Sequence, residues 1–513
     1  MSDLEHLESK VDNASPQTDA VSEIGLFGLA VMGQNLALNI AEKGFKISVC
    51  NRSPAKVDTT VARAKKELKG DNAGNLIGFK NKKEWIASIK KPRSIIILVK
   101  AGKPVEAVID ELMGLLEPND LIIDGGNEWY ENTEARVKKV APKKLLYMGM
   151  GVSGGEEGAR YGPSLMPGGD INAYKRVEHI LVKTAAKTAD NTICVTYIGP
   201  GGAGNYVKMV HNGIEYGDMQ LIAEAYDMLK FVVGLSNKEI GDVFDEWNKG
   251  ELKSFLIEIT GQIFKKMDDR GKDKSVYLVD KVLDKTGQKG TGMWTVRDSL
   301  IQAVAIPTIG AALNARFLSS YKAERIEFES FIKLDEQKQD NSNLNKKAVI
   351  EDIRKALYAS KIISYTQGMN LIKTVGEKNN WNLNLGKIAS IWKGGCIIRA
   401  QFLDRITAAY KKNPKLKSLL FDPDFAKDIK TSLKSWRNVV TLAVNNGIAV
   451  PSMSSSLAYF DSYRRAKLPA NLTQAQRDFF GAHTYQRIDA TDVDDCKDDS
   501  DPFGKFVHSQ WNK

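Results

Sequence analysis

Six short β-rich runs, several of them almost wholly apolar, recur between residues 23 and 200: EIGLFG, FKISVCN, SIIILV, LIIDGG, LLYMGMGV and TICVTYIG. Helical stretches separate them. A strand that lacks polar alternation keeps neither face in water, which is the condition of a strand in a parallel sheet covered by helices on both sides. The pattern predicts an α/β doubly wound domain over residues 23–201. From 202 to 459 such runs nearly vanish. Helical periodicity replaces them, as in GDMQLIAEAYDMLKFVV and EDIRKALYASKIISYTQGMNLI, so a large all-helical region is expected there. It carries signs of an internal duplication. IEYGDMQLI at 214 resembles ISYTQGMNLI at 363, and WNKGELKSFLIEI at 247 resembles WKGGCIIRAQFLDRI at 392, offsets of 149 and 145 residues.

The two ends differ from this middle. Residues 1–22 are polar and acidic. They lack the apolar stretch of a secretory signal and the Arg-rich, acid-poor character of a transit peptide, so a disordered leader and a cytoplasmic location are expected. Residues 460–513 read as a loop-rich tail whose aromatics suggest docking. The longest aliphatic run, Ile95 to Val99, is too short to cross a bilayer, and no membrane partner is expected. Cys50, Cys194, Cys396 and Cys496 lie far apart, which excludes zinc-ribbon and disulfide-framework spacings and fits a reducing compartment. The five histidines are scattered too, so no metal site is expected. The net charge of +10 suits anionic ligands, but the cations form no dense block, which argues for small phosphates over nucleic acid.

The first run opens into GLFGLAVMGQNLALNI. Gly28, Ala30 and Gly33, with Leu29, Val31 and Met32 between them, match the dinucleotide fingerprint with Ala in the middle glycine slot. Small residues there allow a tight turn and let backbone N–H groups approach a pyrophosphate at a helix N-terminus. The second run ends in Asn51, Arg52 and Ser53, with Lys56 close by. An acid at this place would hold a ribose 2′-hydroxyl; a guanidinium pairs with a 2′-phosphate, so the expected cofactor is NADP.

The most unusual segment is KMVHNGIEY. Lys208, His211, Asn212 and Glu215 stand at i, i+3, i+4 and i+7, one face of a helix. Unpaired buried charges cost several kcal/mol each, so this face is solvated, a self-satisfied polar network, or a site. Gly213 and Gly217 weaken the helix and point to close approach by a backbone or a ligand. Three Gly-rich segments add candidates. DGGN ends a strand at Asn127, GVSGGEEGARYGPSLMPGG supplies Ser153, Gly154 and Gly155, and GQKGTGMW presents Lys289. Each reads equally as an ordinary turn or as a ligand loop.

Together these motifs, with LVKAG and LPANLTQAQRDFFGAHTY, resemble the 6-phosphogluconate dehydrogenase family, in the family's order and over residues 23 to 487. The departures are the leader, Ser53 where Thr is common, Met293 after GTG, and the tail beyond 487. The resemblance implies a Rossmann-like coenzyme domain, a duplicated all-α domain, and a C-terminal tail that reaches into the partner of a homodimer. It implies oxidative decarboxylation of 6-phospho-D-gluconate to ribulose 5-phosphate with NADP and without a metal. It also implies roles: Lys208 as general base, its pKa lowered by crowding cations and desolvation, and Glu215 as the acid that protonates the enediol. His211, Asn212, Ser153, Gly154, Gly155, Tyr216, Lys289, Arg316, Arg477 and His483 would hold the substrate. Val99, Lys100 and Ala101 join the cofactor set, and Asn127 stands between nicotinamide and substrate. The competing expectations are a β-hydroxyacid dehydrogenase for an unphosphorylated acid, an NADP-binding scaffold without turnover, and a nucleic-acid binder.

Overall fold

The computed structural model describes residues 20–332, 341, 343–498 and 500–511. They form two compact units, which divide after Ser456. Residues 1–19 of the expected leader lie outside the described residues, while Ser22 already pairs with Ile89.

The first unit begins with a seven-stranded sheet: β1 (Ile24–Phe27), β2 (Ile47–Cys50), β3 (Leu76–Phe79), β4 (Ser94–Ile97), β5 (Leu121–Asp124), β6 (Leu146–Ser153) and β7 (Ser164–Gly169). The spatial order is β3-β2-β1-β4-β5-β6-β7. All pairs are parallel except β6 with β7. The order reverses between β1 and β4, where a doubly wound sheet opens a crevice beyond its strand carboxyl ends. The apolar runs are buried on both faces as expected: Ile24, Leu26, Ile47, Val49, Ile95, Ile96, Ile97, Leu121, Ile122 and Ile123 have no exposed surface.

The strand assignments need three corrections. β3 is absent from the six runs because it is only partly buried, and it carries Gly78, against whose backbone Val57 and Val61 pack. β7 reads as loop because it contains Pro167, Gly168 and Gly169, but it is an edge strand, where proline is tolerated. TICVTYIG lies beside β7 and forms only isolated bridges, Leu165 with Val195 and Lys187 with Ile193. Leu165 N–H donates to Cys194 O and Ile198 N–H to Pro167 O, but Pro167 has no N–H to continue the ladder.

Beyond the sheet the first unit is helical. The helix Ala203–Asp227 carries the polar stripe and packs against the helix Lys346–Lys378. These are the two halves of the duplication, but in a register other than the expected 149. Lys361 Nζ donates to Asp218 Oδ2 at 2.6 Å. Gln367 Oε1 accepts from Thr308 N–H, at the start of one helix, and Glu224 accepts from Ser452 N–H, at the start of another. Lys253 and Gln401 pair through the Ser254–Ala400 bridge. The corresponding positions differ by 143 (218 to 361), 143 (224 to 367), 144 (308 to 452) and 146 (254 to 400). The repeated elements therefore correspond at offsets of 143 to 146 residues. The sequence resemblance between 214 and 363 points to the right helices but lies six residues out of step with this register.

Candidate active site

Three glycines bring the Lys208 helix onto the sheet. A Cβ on Gly204 would lie 2.3 Å from Met166 O, one on Gly168 would lie 2.4 Å from Gly204 N, and one on Gly151 would lie 2.4 Å from Lys208 Cβ. The helix backbone thus rests against β6 and β7, and the Lys208 stem runs over Gly151. Thr295 and Ser364 fill the places where Cβ atoms on Gly213 and Gly217 would go, so neighbouring helices make the close approach that those glycines forecast.

Lys208 is buried. Its Nζ donates to Asn212 Oδ1 (2.6 Å) and Ser153 Oγ (3.3 Å). Asn212 Nδ2 in turn donates to Thr291 Oγ1 at 2.8 Å, which turns Oδ1 toward Lys208 and toward His211 Nδ1 at 3.0 Å. With the amide so oriented, Nδ1 carries the histidine proton and Nε2 accepts from the Ser153 hydroxyl at 3.3 Å. Burial, with the neighbouring Lys208 charge, holds His211 well below its usual value, so the ring stays neutral. Trp392 meets its edge at 5.5 Å.

Burial also lowers the Lys208 pKa. The expected crowding by cations is not the cause. The ionisable groups beside it are Glu215 and Cys396, and their ionised forms would act in the opposite direction. Cys396 is itself pushed up to about 12 by burial and stays a thiol. Glu215 shows the complementary shift. Burial raises its pKa against the pull of Lys208 and Arg316, with Asp218 adding to the rise. The stripe is therefore an interdependent polar network, and its amine and carboxyl are both biased toward their neutral forms.

Tyr216, next on the helix, packs under Arg316, whose guanidinium carbon lies 3.5 Å from the ring centroid. Arg316 also donates to Gly287 O (3.0 Å), which ties it to the loop that carries Lys289. Lys289 is exposed there, just before the helix Thr291–Ile301. Gly154 and Gly155 follow Ser153 with φ of 114° and 61°, conformations that favour glycine. Arg477 and His483 belong to the second unit, and both are exposed.

The nucleotide side is built at β1, β2, β4 and β5. Gly28 has φ 105°, and a Cβ on Gly33 would lie 1.8 Å from Gly28 O. The helix α1 (Val31–Glu42) starts at Ala30 with no side-chain cap, so its first N–H groups are free for an anion. Leu29 N–H donates to Asn51 Oδ1 and Asn51 Nδ2 to Ser53 O, which joins the fingerprint turn to the turn before α2 (Pro54–Glu67). Arg52 and Ser53 are exposed beside it, and no acid occupies the turn. These residues fit a dinucleotide that carries a 2′-phosphate.

Val99, Lys100, Ala101 and Asn127 lie on two loops held by a buried cluster that sequence reading missed. Arg136 pairs with Asp124 (3.1 Å), Glu128 (2.6 Å) and Glu106 (2.7 Å). Glu128 accepts from Gly102 N–H and Trp129 N–H, and Asp124 from Gly126 N–H and Tyr147 Oη–H. Removing Arg136 leaves two buried carboxylates unpaired. Arg136→Met is expected to destabilise the protein by about 3–5 kcal/mol, read by urea unfolding. Unchanged stability would contradict this account. Thr291 and Gly151 were missed as well. A glycine inside a strand signals close approach, but nothing in the sequence says what approaches.

Residues 23–199 match the NAD binding domain of 6-phosphogluconate dehydrogenase, and residues 204–511 match that enzyme's C-terminal domain. The chain belongs to the 6-phosphogluconate dehydrogenase family. It is 62% identical over 496 residues to 6-phosphogluconate dehydrogenase, decarboxylating 1, of Oryza sativa subsp. japonica, a match that covers 96% of this chain and 98% of that one. The corresponding Spinacia oleracea protein is 61% identical, covering 91% and 96%. Family members named chloroplastic match at comparable identity. A solved structure of Plasmodium falciparum 6-phosphogluconate dehydrogenase, described in its apo form and in complex with NADP+ and with 6-phosphogluconate, superposes with a TM-score of 0.88. It is 49% identical and covers 95% of this chain and 100% of that one. Among the described residues no helix is long and apolar enough to cross a membrane.

Proposed function

We propose that this chain oxidises and decarboxylates 6-phospho-D-gluconate to D-ribulose 5-phosphate and CO2, with NADP as the hydride acceptor. The observation that carries the reading is the buried Lys208 amine, hydrogen-bonded to Asn212 and Ser153 on the same helical face as Glu215. Gly28, Leu29, Ala30, Val31, Met32 and Gly33 would hold the pyrophosphate of NADP, and Asn51, Arg52 and Ser53 its 2′-phosphate end; the bound nicotinamide would supply the acceptor for the C3 hydride. Neutral Lys208 takes the proton of the 3-hydroxyl as hydride leaves. It returns that proton to the keto oxygen as CO2 departs, so no oxyanion stands alone. Protonated Glu215 then delivers a proton to C1 of the enediol as neutral Lys208 takes back the hydroxyl proton and the ketone forms; the raised pKa of Glu215 supports this role. Asn212 and His211 orient the hydroxyls, Ser153 with the Gly154 and Gly155 N–H groups holds the carboxylate, and Asn127 separates substrate from nicotinamide.

Tyr216, Lys289 and Arg316 take the phosphate, a cluster an unphosphorylated acid would not need. Arg477 and His483 complete the substrate site from the partner subunit of a homodimer. The four free cysteines, all buried, fit a cytosolic placement. The test is a coupled assay that follows NADPH and CO2 together. Equimolar production from 6-phosphogluconate and none from gluconate is expected; NADPH without CO2 would overturn the decarboxylation. For the cofactor, Arg52→Ala is expected to weaken NADP binding by roughly ten- to a hundredfold, the worth of a charge-assisted hydrogen bond, and to leave NAD binding unchanged. Equal loss for both would remove Arg52 from phosphate recognition.

A further inference from the structure

Among the described residues of the second unit, one buried carboxylate has no role above. Asp478 has no exposed surface. Its Oδ1 accepts from Thr484 N–H (2.9 Å) and His508 Nδ1 (2.9 Å), and its Oδ2 from Ser509 N–H (3.1 Å) and Trp511 Nε1 (2.8 Å). Burial pushes the Asp478 pKa up, but these four bonds outweigh it and hold the group ionised. One donor lies in the turn after the helix Ala470–Gly481, and three lie in the C-terminal segment.

That turn carries His483. Ala482 and Thr484 on either side of it have φ of 50° and 59°, the left-handed region that residues with a Cβ avoid. Such a turn persists only when its surroundings impose it. The C-terminal segment supplies that constraint: Val507 and Tyr485 exchange both backbone hydrogen bonds, and the Trp511 ring lies 6.0 Å from Tyr485 and 6.4 Å from Phe479. Arg477 is the residue before Asp478. Its guanidinium donates to Gln474 Oε1 (3.0 Å), while Gln474 Nε2 donates to Thr484 O (2.6 Å). One network thus fixes the helix face of Arg477 and the turn of His483.

We propose that Asp478, bound by His508, Ser509 and Trp511, is a positioning residue that sets Arg477 and His483 in the geometry that receives the substrate. The C-terminal segment is then part of the substrate site without touching substrate. This rests on the assignment of Arg477 and His483 as substrate contacts.

The test compares Asp478→Asn, Trp511→Phe, Arg477→Ala and His483→Ala in the full chain. The asparagine keeps the shape of Asp478 but loses the charge and turns an amide N–H toward donors. Asp478→Asn is expected to raise the KM for 6-phosphogluconate by roughly ten- to a hundredfold, the scale on which a group displaced by about 1 Å is felt, while the KM for NADP and kcat hold. Trp511→Phe deletes one donor and keeps an aromatic ring, and it is expected to shift the same KM in the same direction by less. Sedimentation velocity checks that each variant keeps the parent's assembly. Should Asp478→Asn lose that assembly, Trp511→Phe decides. An unchanged KM for 6-phosphogluconate in both variants, with a raised one in Arg477→Ala, overturns the clamp alone. An unchanged KM in Arg477→Ala and His483→Ala overturns the substrate-contact assignment and the clamp with it.

Discussion

Lys208→Met is expected to lower kcat by roughly 10²–10⁴, the reach of a positioned acid–base group, without unfolding the protein. The two halves of that result have one cause. Lys208 sits where β6 gives up its side chain at Gly151, so the amine is buried and its pKa is lowered. At neutral pH an unfolded chain holds the lysine proton more tightly than the folded one does. The site therefore costs stability, and the cost fades only as pH rises toward the unfolded value of about 10.4. Methionine matches the stem and removes the amine, so its melting temperature should equal or exceed the parent's at neutral pH. A dead, stable enzyme that still binds NADP separates catalysis from folding. Near-normal turnover would remove Lys208 from the mechanism, and a collapse of stability would mean that the amine is held for structure.

The parts of this arrangement that sequence revealed are those in which chemistry and periodicity coincide. Four polar residues at helical spacing could not be an apolar face; the structure joins Lys208 and His211 through Asn212 and couples Glu215 to Lys208 electrostatically. The buried strands were legible because both their faces are covered. β7 was not, since Pro167, Gly168 and Gly169 carry turn signals. They serve instead an edge strand against which the Lys208 helix packs without side chains in between. Contacts between segments distant in the chain left no local mark. Thr291 orients Asn212 from 79 residues away, and Asp218 meets Lys361 from 143 away. The direction of the Lys208 shift and its desolvation followed from its residue type and expected role; the expected crowding by cations did not hold, because which charges lie beside the amine is a fact of packing.

Glu215→Gln is expected to separate the two halves of the reaction. Hydride transfer needs only neutral Lys208, so a single turnover should still release NADPH in a fast burst. Protonation of the enediol lacks its acid, so steady turnover falls by roughly 10²–10⁴ and the substrate dissociation constant changes little. The pH profile gives an independent reading. Neutral Lys208 beside protonated Glu215 holds as many protons as charged Lys208 beside ionised Glu215, so the pair titrates as a unit, and burial favours the uncharged arrangement. In the parent, activity falls at low pH when the pair gains a second proton and at high pH when it loses its only one. Glutamine cannot ionise, so in the residual activity the alkaline fall should disappear while the acid fall, carried by Lys208 alone, remains. A variant that no longer binds 6-phosphogluconate, or one that keeps both limbs, would mean that Glu215 is not the proton donor.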